Sequence, residues 1–184
     1  MQNLLRSKAC VSAAHAICAA LASLLVCSEG LAEDRLEERF EYWHYYKEDD
    51  PMGGTAFAAQ VVSKNSLDFS FPYQGNQKAA LTLRTHPRNG KDVFVTLEKG
   101  QFICSGYDGC YVSIRFDEGQ TSKYSANGTA DYSTNTIFIS NYDRFLSNMM
   151  KAKTARISAN VYQEGSPVFE FNVADFDKKA YLRK

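Results

Sequence analysis

Alternation of apolar and polar side chains is the main pattern of this 184-residue sequence. In residues 111–116, for example, Val112, Ile114 and Phe116 share one face and the intervening side chains share the other. Such a period of two is typical of a strand with one buried face. Gly, Pro, Asn and Asp clusters separate these segments, as turns do. The pattern predicts strands near residues 40–47, 55–63, 67–71, 80–85, 93–97, 111–117, 122–126, 136–140, 155–162 and 169–173.

A short polar segment enclosed by two cysteines interrupts the apolar runs in the middle of the chain. Cys104 and Cys110 bracket residues 105–109, which contain two glycines and an aspartate. Gly and Asp favour turns because they tolerate a positive φ. This segment therefore predicts a β-hairpin closed at its neck by a disulfide bond.

One helix is predicted after the strand at residues 136–140. Ser140 is followed three residues later by Asp143, as in a capping box, and a helical apolar face follows. Residues Phe145, Leu146, Met149 and Met150 form that face. The charged segment that ends the chain, residues 175–184, predicts a frayed tail.

Short strands, a single helix and the absence of a βαβ rhythm define the expected fold class. We expect a mainly β protein, an antiparallel β-sandwich or open barrel with one helix in its C-terminal half. The length suits one domain. The predicted organisation is a leader over residues 1–32, a single β-sandwich domain over 33–176 and a charged tail over 177–184.

The first 32 residues have the pattern of a cleaved signal peptide. A basic start is followed by the apolar run 13–26, and small residues lie at positions −3 and −1 of a cut before Glu33. An uncleaved membrane anchor is a second interpretation, although the run is shorter than the roughly 20 residues that span a bilayer. A third is a lipoprotein with Cys27 lipidated, although the preceding residues lack the expected small side chain.

Cleavage would change both the charge and the cysteine count. The complete chain carries 21 basic and 21 acidic residues, and losing Arg6, Lys8 and Glu29 leaves a net charge of −1. A nearly neutral domain has no basic field for nucleic acid or anionic lipid. Cys104 and Cys110 would be the remaining cysteines, and export to an oxidising periplasm favours their pairing. We therefore expect a periplasmic protein with no stable membrane insertion.

Candidate catalytic residues are few after the leader. His44 and His86 are the remaining histidines, and the sequence has no G-x-S-x-G nucleophile elbow. Paired cysteines cannot act as nucleophiles. The carboxylates in the loops at 49–50, 107–109 and 117–118 lack EF-hand spacing, which favours solvated turns over a calcium site. We predict no catalytic residue, no metal site and no cofactor.

Aromatic side chains are the strongest indication of a binding surface. Trp43 and Tyr45 lie in a predicted strand, Tyr73 in a loop, and Tyr107 beside Asp108 in the disulfide loop. Tyr and Trp are enriched in recognition surfaces because they combine a large rigid area with a polar tip. These five residues are the predicted binding residues. The alternative is that the aromatic rings pack in the core, as strand alternation requires of some.

A series of short motifs follows one another along residues 43–173. In chain order they are Trp43 with Asp50-Pro51-Met52, 81–84, Cys104, 112–117, 137–140, Phe145-Leu146, 153–157 and 169–173. This order resembles poorly characterised exported proteins of Gram-negative bacteria, among them the periplasmic accessory proteins of type VI secretion (VasI/TagO-like). The Gly109-Cys110 segment is more faintly similar to invasion-associated locus B proteins. No catalytic residue is transferred by this resemblance.

The resemblance implies a non-enzymatic periplasmic protein that acts as an accessory or protein-binding component of an envelope or secretion system. Its expected partner is another envelope or secreted protein, contacted through an edge strand or the disulfide loop. The alternative is an inhibitor or immunity protein against a lytic cell-wall enzyme. An envelope hydrolase is the third hypothesis.

Overall fold

The computed structural model describes residues 42–104 and 109–182. The predicted signal peptide, Cys27 and the predicted binding residues Tyr107 and Asp108 lie outside these residues. The strands are β1 (His44–Asp49), β2 (Thr55–Val62), β3 (Leu67–Phe69), β4 (Gly75–Gln77), β5 (Ala79–His86), β6 (Gly90–Leu97), β7 (Cys110–Phe116), β8 (Ser122–Asn127), β9 (Thr136–Ile139), β10 (Thr154–Ala159) and β11 (Val168–Asn172).

Nine of these strands form one antiparallel sheet. Its order is β1-β2-β5-β6-β9-β8-β7-β10-β11, and β3 and β4 form a separate two-stranded hairpin. Each register within the large sheet is antiparallel. The prediction of a mainly β, antiparallel fold is confirmed.

One face of the sheet encloses a single hydrophobic core. Leu81, Val93, Ile114 and Phe171, from strands across the sheet, are all fully buried in that core. A twisted sheet can coil so that distant strands approach each other, and β2 does contact β11.

Two helices complete the described part of the fold. Helix α1 (Tyr142–Met149) packs near β6 and buries Tyr142, Phe145 and Met149. Its N-cap is Asn141, whose side chain accepts a hydrogen bond from the Arg144 N–H. The predicted capping role of Ser140 is therefore wrong, because Asn tolerates the left-handed φ of 62° that this cap adopts. Met150 lies past the helix end and is exposed, so it does not belong to the apolar face.

The second helix, α2 (Lys178–Tyr181), lies in the segment that the sequence predicts to be frayed. Asp177 caps it by accepting from the N–H groups of Lys179 and Ala180. The Tyr181 side chain is buried in the core. The prediction of a frayed tail is wrong for residues 177–182, because burial of the Tyr181 side chain attaches the segment to the core.

The predicted hairpin around the two cysteines is also wrong. Strand β7 pairs with β8 and β10, whereas Phe102 forms a bridge with Val161, which follows β10. The segment before Cys104 therefore lies beside the extension of β10. Local turn residues could not reveal this pairing, since its partner lies about 60 residues further along the chain.

Within the described ranges, no helix is both long and apolar enough to cross a bilayer.

Candidate functional site

The disulfide bond between Cys104 and Cys110 organises one end of the sheet. It joins the segment before Cys104 to the first residue of β7, with the two Cα atoms 4.9 Å apart. The predicted pairing is confirmed. Because residues 101–103 and β7 belong to different parts of the fold, the bond ties a loop segment to the sheet.

Backbone hydrogen bonds hold residues 101–103 on the sheet. The Ile103 N–H donates to the Asn160 carbonyl (2.8 Å), and the Tyr162 N–H donates to the Gln101 carbonyl (2.9 Å). Phe102 and Val161 point into the core. Since side chains alternate along extended backbone, Ile103 and Tyr162 are directed outward, and both are more than 40 % exposed.

Tyr111 lies on the same outer face. It alternates with the buried Val112 in β7 and is 52 % exposed. Gly109 precedes it with a φ of 73°, and a Cβ atom there would lie 3.0 Å from the Tyr111 ring. The left-handed backbone favours glycine at this position.

A fourth exposed side chain, Tyr132, is presented by the loop 128–135. The Thr129 hydroxyl donates to the Ser133 carbonyl (2.8 Å), and the Asp131 carboxylate accepts from the Ser133 N–H (3.1 Å). The neighbouring Thr129 side chain and the Ser133 N–H lower the pKa of Asp131. Tyr132 is 91 % exposed and has a φ of 60°, which is uncommon for a residue with a Cβ atom.

This loop is attached to the disulfide-linked segment. The Phe102 N–H donates to the carbonyl of Thr134 (2.7 Å), so the loop and residue 103 are neighbours. We call Ile103, Tyr111, Tyr132 and Tyr162 the tyrosine end of the molecule. Four separate segments supply its side chains, and a disulfide and internal hydrogen bonds fix their backbones. Rigid, exposed tyrosines provide contact area at a low cost in side-chain entropy.

Two of the predicted binding residues lie elsewhere and are packed. Trp43 packs edge-on against Phe176, with ring centroids 4.9 Å apart. The Tyr45 hydroxyl accepts a hydrogen bond from the Asp177 N–H (2.6 Å), and burial raises the Tyr45 pKa. Both side chains attach the segment before α2 to the start of β1 and contact the core.

The predicted residue Tyr73 is also partly buried against the core. The tyrosine end thus includes no described residue of the predicted binding set. Alternation does place Tyr111 and Tyr162 on the polar face of their strands. Their exposure could have been used as a signal, whereas the exposure of Tyr132 depends on the loop conformation.

Both histidines contact neighbouring residues. The His86 Nδ1 accepts from the N–H groups of Arg88 and Asn89 (3.2 and 3.3 Å), and its Nε2 lies 3.3 Å from the Asp50 carboxylate. Both ring nitrogens are therefore engaged within the turn. The His44 ring stacks on Tyr46 with centroids 5.8 Å apart.

Of the loop carboxylates considered as calcium ligands, Asp50 and Asp117 have partners from the chain itself. Asp50 binds the Arg88 guanidinium through both oxygens (2.7 and 2.9 Å). Asp117 accepts from the N–H groups of Lys153 and Thr154, each at 2.9 Å. In residues 42–104 and 109–182, no three His, Cys, Asp or Glu side chains form a group suited to a metal ion.

Comparisons with known proteins give one structural similarity. No protein-family model matches the sequence, and no curated protein matches it significantly. The crystal structure of invasion associated protein B from Bartonella henselae is similar with a TM-score of 0.40 and 9 % sequence identity, covering 72 % of this chain and 85 % of that one. This name is consistent with the fainter sequence resemblance, which is to invasion-associated locus B proteins. The resemblance to the type VI accessory proteins stays a prediction.

Proposed function

We propose that this protein is an exported, non-enzymatic binding protein of the bacterial envelope, and that its tyrosine end contacts another envelope or secreted protein. The observation that carries the proposal is the exposure of Ile103, Tyr111, Tyr132 and Tyr162 on one disulfide-linked end of the sheet. Protein interfaces are enriched in tyrosine and tend to form on loops held by a rigid scaffold.

The packing of this end supports recognition over a purely structural role. Large aromatic side chains normally contribute to stability by burial, at roughly 1.5 to 3 kcal/mol each. Tyr132 gains almost none of this because it is 91 % exposed, and its left-handed backbone adds strain. Strained, exposed residues are typical of functional surfaces.

The envelope location rests on separate support. The leader pattern of residues 1–32 is typical of export, and the Cys104–Cys110 disulfide is of the kind that persists in oxidising compartments. Isolation of the protein from periplasmic extract with Glu33 at its N-terminus would agree with this part of the proposal. An intact N-terminus in the cytoplasmic fraction would contradict it.

Site-specific photo-crosslinking in the native cell tests the contact. A photoreactive phenylalanine analogue at position 132 or 162 should give an adduct with the same protein at both positions. The same analogue at Met52, which is also exposed, should not give that adduct. Equal crosslinking at all three positions, or none at 132 and 162, would rule out the tyrosine end as the contact.

A second candidate function is inhibition of a lytic cell-wall enzyme. It is favoured by Tyr132, which lies on an internally hydrogen-bonded loop and could enter a cleft without a large loss of entropy. Stoichiometric inhibition of a muramidase that is lost in Tyr132→Ser would select this candidate over an accessory role.

A further inference from the structure

Two arginine side chains lie directly opposite each other on the outer face of the large sheet. Arg115 of β7 pairs with Arg156 of β10, and the neighbouring pair Ile114 and Ile157 is buried in the core. Directly opposed side chains have Cβ atoms about 4.5 to 5.5 Å apart, and like charges at this distance are destabilising. Strand packing alone therefore does not favour two guanidinium groups at this position.

The Glu118 carboxylate bridges the two arginines. One of its oxygens accepts from Arg115 Nη2, and the other accepts from Arg156 Nη1 (3.2 Å). The Glu118 side chain is 78 % exposed, whereas those of Arg115 and Arg156 are 39 % and 30 % exposed. Ion pairs at exposed positions contribute little to stability, because water and salt compete for the charges. An anion from solution can therefore compete with Glu118 for the pair.

Other hydrogen bonds orient both guanidinium groups independently of the bridging carboxylate. Arg115 Nε donates to the Gly119 carbonyl (3.0 Å). Arg156 donates through Nε to the Glu170 carboxylate (2.9 Å) and through Nη1 to the Asp117 carbonyl (3.0 Å). Each guanidinium has five N–H donors, so both retain donors that no described residue accepts from. The two groups thus stay oriented when the bridging carboxylate leaves.

The charge around the pair matches that of a phosphate monoester. Lys64 binds the Glu170 carboxylate (3.2 Å) and extends the row of charges. With Glu118 displaced, Lys64, Arg115 and Arg156 carry three positive charges against one negative charge at Glu170. A phosphate monoester carries about −1.5 to −2 at neutral pH and presents three acceptor oxygens. It neutralises this row more completely than a carboxylate does, and arginine binds phosphate through two parallel hydrogen bonds.

Two further charges close to the pair are compatible with an anion there. Lys123 of β8 faces Ser113, so it lies on the same outer face at the diagonal position. The Asp117 carboxylate accepts from the N–H groups of Lys153 and Thr154, each at 2.9 Å. These positive charges are concentrated locally, and the nearly neutral total charge of the chain does not reveal them.

We propose that Arg115 and Arg156 form a binding site for a phosphate monoester, and that the Glu118 carboxylate occupies this site in the free protein. The ligand oxygens replace those of Glu118 between the two guanidinium groups, and the displaced carboxylate is solvated. None of these residues belongs to the tyrosine end, so the site does not depend on the function proposed above. A small phosphorylated compound and the headgroup of phosphatidic acid offer this same chemistry.

Isothermal titration calorimetry of the purified protein with glycerol phosphate tests the site. Binding is expected for the wild type, and Arg115→Gln and Arg156→Gln should each raise the dissociation constant by about tenfold or more, since each removes charge-assisted hydrogen bonds. Dimethyl phosphate, which carries one negative charge, should bind more weakly. The matched control is Arg144→Gln, because Arg144 lies over the buried Tyr124 ring. This variant should bind glycerol phosphate like the wild type.

Glu118→Gln should have the opposite effect. An amide competes less with the ligand than a carboxylate does, so the dissociation constant should fall by about two- to fivefold, as expected for loss of an exposed ion pair. A purely structural ion-pair network would show no phosphate binding in any variant. If Arg156→Gln does not fold, Arg156→Lys replaces it. This variant keeps the charge but should still bind more weakly, because lysine cannot bind two oxygens in parallel.

Vesicle flotation distinguishes the two sources of the phosphate group. Capture by phosphatidylcholine vesicles that contain phosphatidic acid, without capture by vesicles that contain the diester phosphatidylglycerol, identifies a lipid headgroup. Binding of glycerol phosphate without capture by either vesicle identifies a small phosphorylated compound. Equal capture by both vesicles overturns the preference for a monoester.

The calorimetric results decide the proposal itself. It is overturned if glycerol phosphate binds neither the wild type nor the Glu118→Gln variant, or if Arg115→Gln and Arg156→Gln bind like the wild type. An equal loss of binding in Arg144→Gln also overturns it, since that result indicates a general attraction between charges. Unchanged or weaker binding in Glu118→Gln overturns the role of Glu118 as the internal occupant.

Discussion

Asp50 shows how one buried carboxylate can organise two turns. Its side chain is 1 % exposed and binds the Arg88 guanidinium, the Met52 N–H and the edge of His86. The turn between β1 and β2 is thereby fastened to the turn between β5 and β6. The fit is close, because a Cβ atom on Gly54 would lie 2.9 Å from Pro87. The hydrogen bond from Arg88 is the main reason why the pKa of Asp50 is lowered.

Asp50→Asn should therefore destabilise the protein at neutral pH. Because the folded state lowers the Asp50 pKa, the carboxylate contributes full stability above about pH 3.9, the ordinary value for Asp. That contribution is lost as the pH falls through the lowered pKa of the folded state. Thermal unfolding across pH 2 to 7 should show a gap between variant and wild type that closes in acid.

The matched control for this experiment is Asp68→Asn, since Asp68 is exposed on β3. Its melting temperature should stay close to that of the wild type throughout. A constant gap between Asp50→Asn and the wild type down to pH 2 would show that the Asp50 charge does not supply the stability.

At the scale of elements, α2 is held by aromatic packing and buried hydroxyl groups. The Tyr142 hydroxyl donates to the Tyr181 hydroxyl (3.1 Å), which also lies 2.9 Å from the Thr85 hydroxyl. Burial and the bond to Tyr181 raise the pKa of Tyr142. Phe176 packs against Tyr181 with centroids 5.6 Å apart. The chain end is thus part of the core although four residues make up the helix.

Tyr181→Ala should lower the free energy of unfolding by about 3 to 5 kcal/mol, the range for loss of a buried aromatic side chain. Tyr181→Phe should cost about 1 kcal/mol, because it loses the hydroxyl bonds and keeps the ring. Urea unfolding measures both changes. Leu182→Ala, at an exposed neighbouring position, should change stability by less than about 0.5 kcal/mol. A fully stable Tyr181→Ala protein would disprove the docking of α2.

The Cys104–Cys110 disulfide is the second feature that holds one element of the fold to another. The double variant Cys104→Ser, Cys110→Ser should lose about 2 kcal/mol, because the closed loop is short and restricts the unfolded chain little. Amide hydrogen exchange should accelerate at Ile103 and Tyr162, whose N–H groups form the hydrogen bonds between residues 101–103 and the extension of β10. Protection in β5 and β6 should persist. Unchanged exchange at residues 103 and 162 would mean that backbone bonds alone hold the segment.

For the whole molecule, the decisive feature is the contact between the turn after β2 and the distant strand β11. Asn65 takes the place of a strand residue, since its side-chain amide both donates to and accepts from the β11 backbone. The contact joins residues about 100 positions apart. It brings the second strand of the sheet to its last strand and closes one side of the core.

Asn65→Asp should weaken this closure, because an oxygen replaces the group that donates to the Val168 carbonyl. We expect a loss of about 0.5 to 1.5 kcal/mol in urea unfolding, the net contribution of one hydrogen bond whose acceptor can still bind water. Exchange of the Glu170 N–H should also accelerate. The same substitution at the exposed Asn76 is the control and should be nearly neutral. Equal effects at 65 and 76 would argue against closure by Asn65.

Local sequence patterns are sufficient to predict the strand faces, the fold class and the disulfide pairing of this protein. Alternation along residues 112–116 correctly identifies a core-facing side of the strand, where Val112 and Ile114 are buried and Phe116 is partly buried, because a period of two is a property of the backbone itself. The antiparallel β class and the Cys104–Cys110 pairing also followed from local signals. The short strand β4 was missed because Gly75, Asn76 and Gln77 favour a loop, and pairing with β3 overrides that preference.

Tertiary structure alone decided which strands are neighbours and which aromatic side chains are covered by distant segments. Trp43, Tyr45 and Tyr181 are covered by segments distant in the chain, whereas Tyr132 is left exposed by its loop. The pairings of Phe102 with Val161 and of Asn65 with β11 also join segments that are distant in the chain. The sequence alone determines the alternation within each strand, since that depends on neighbouring residues. Burial and edge pairing depend on which distant segments meet, and only the folded chain decides that.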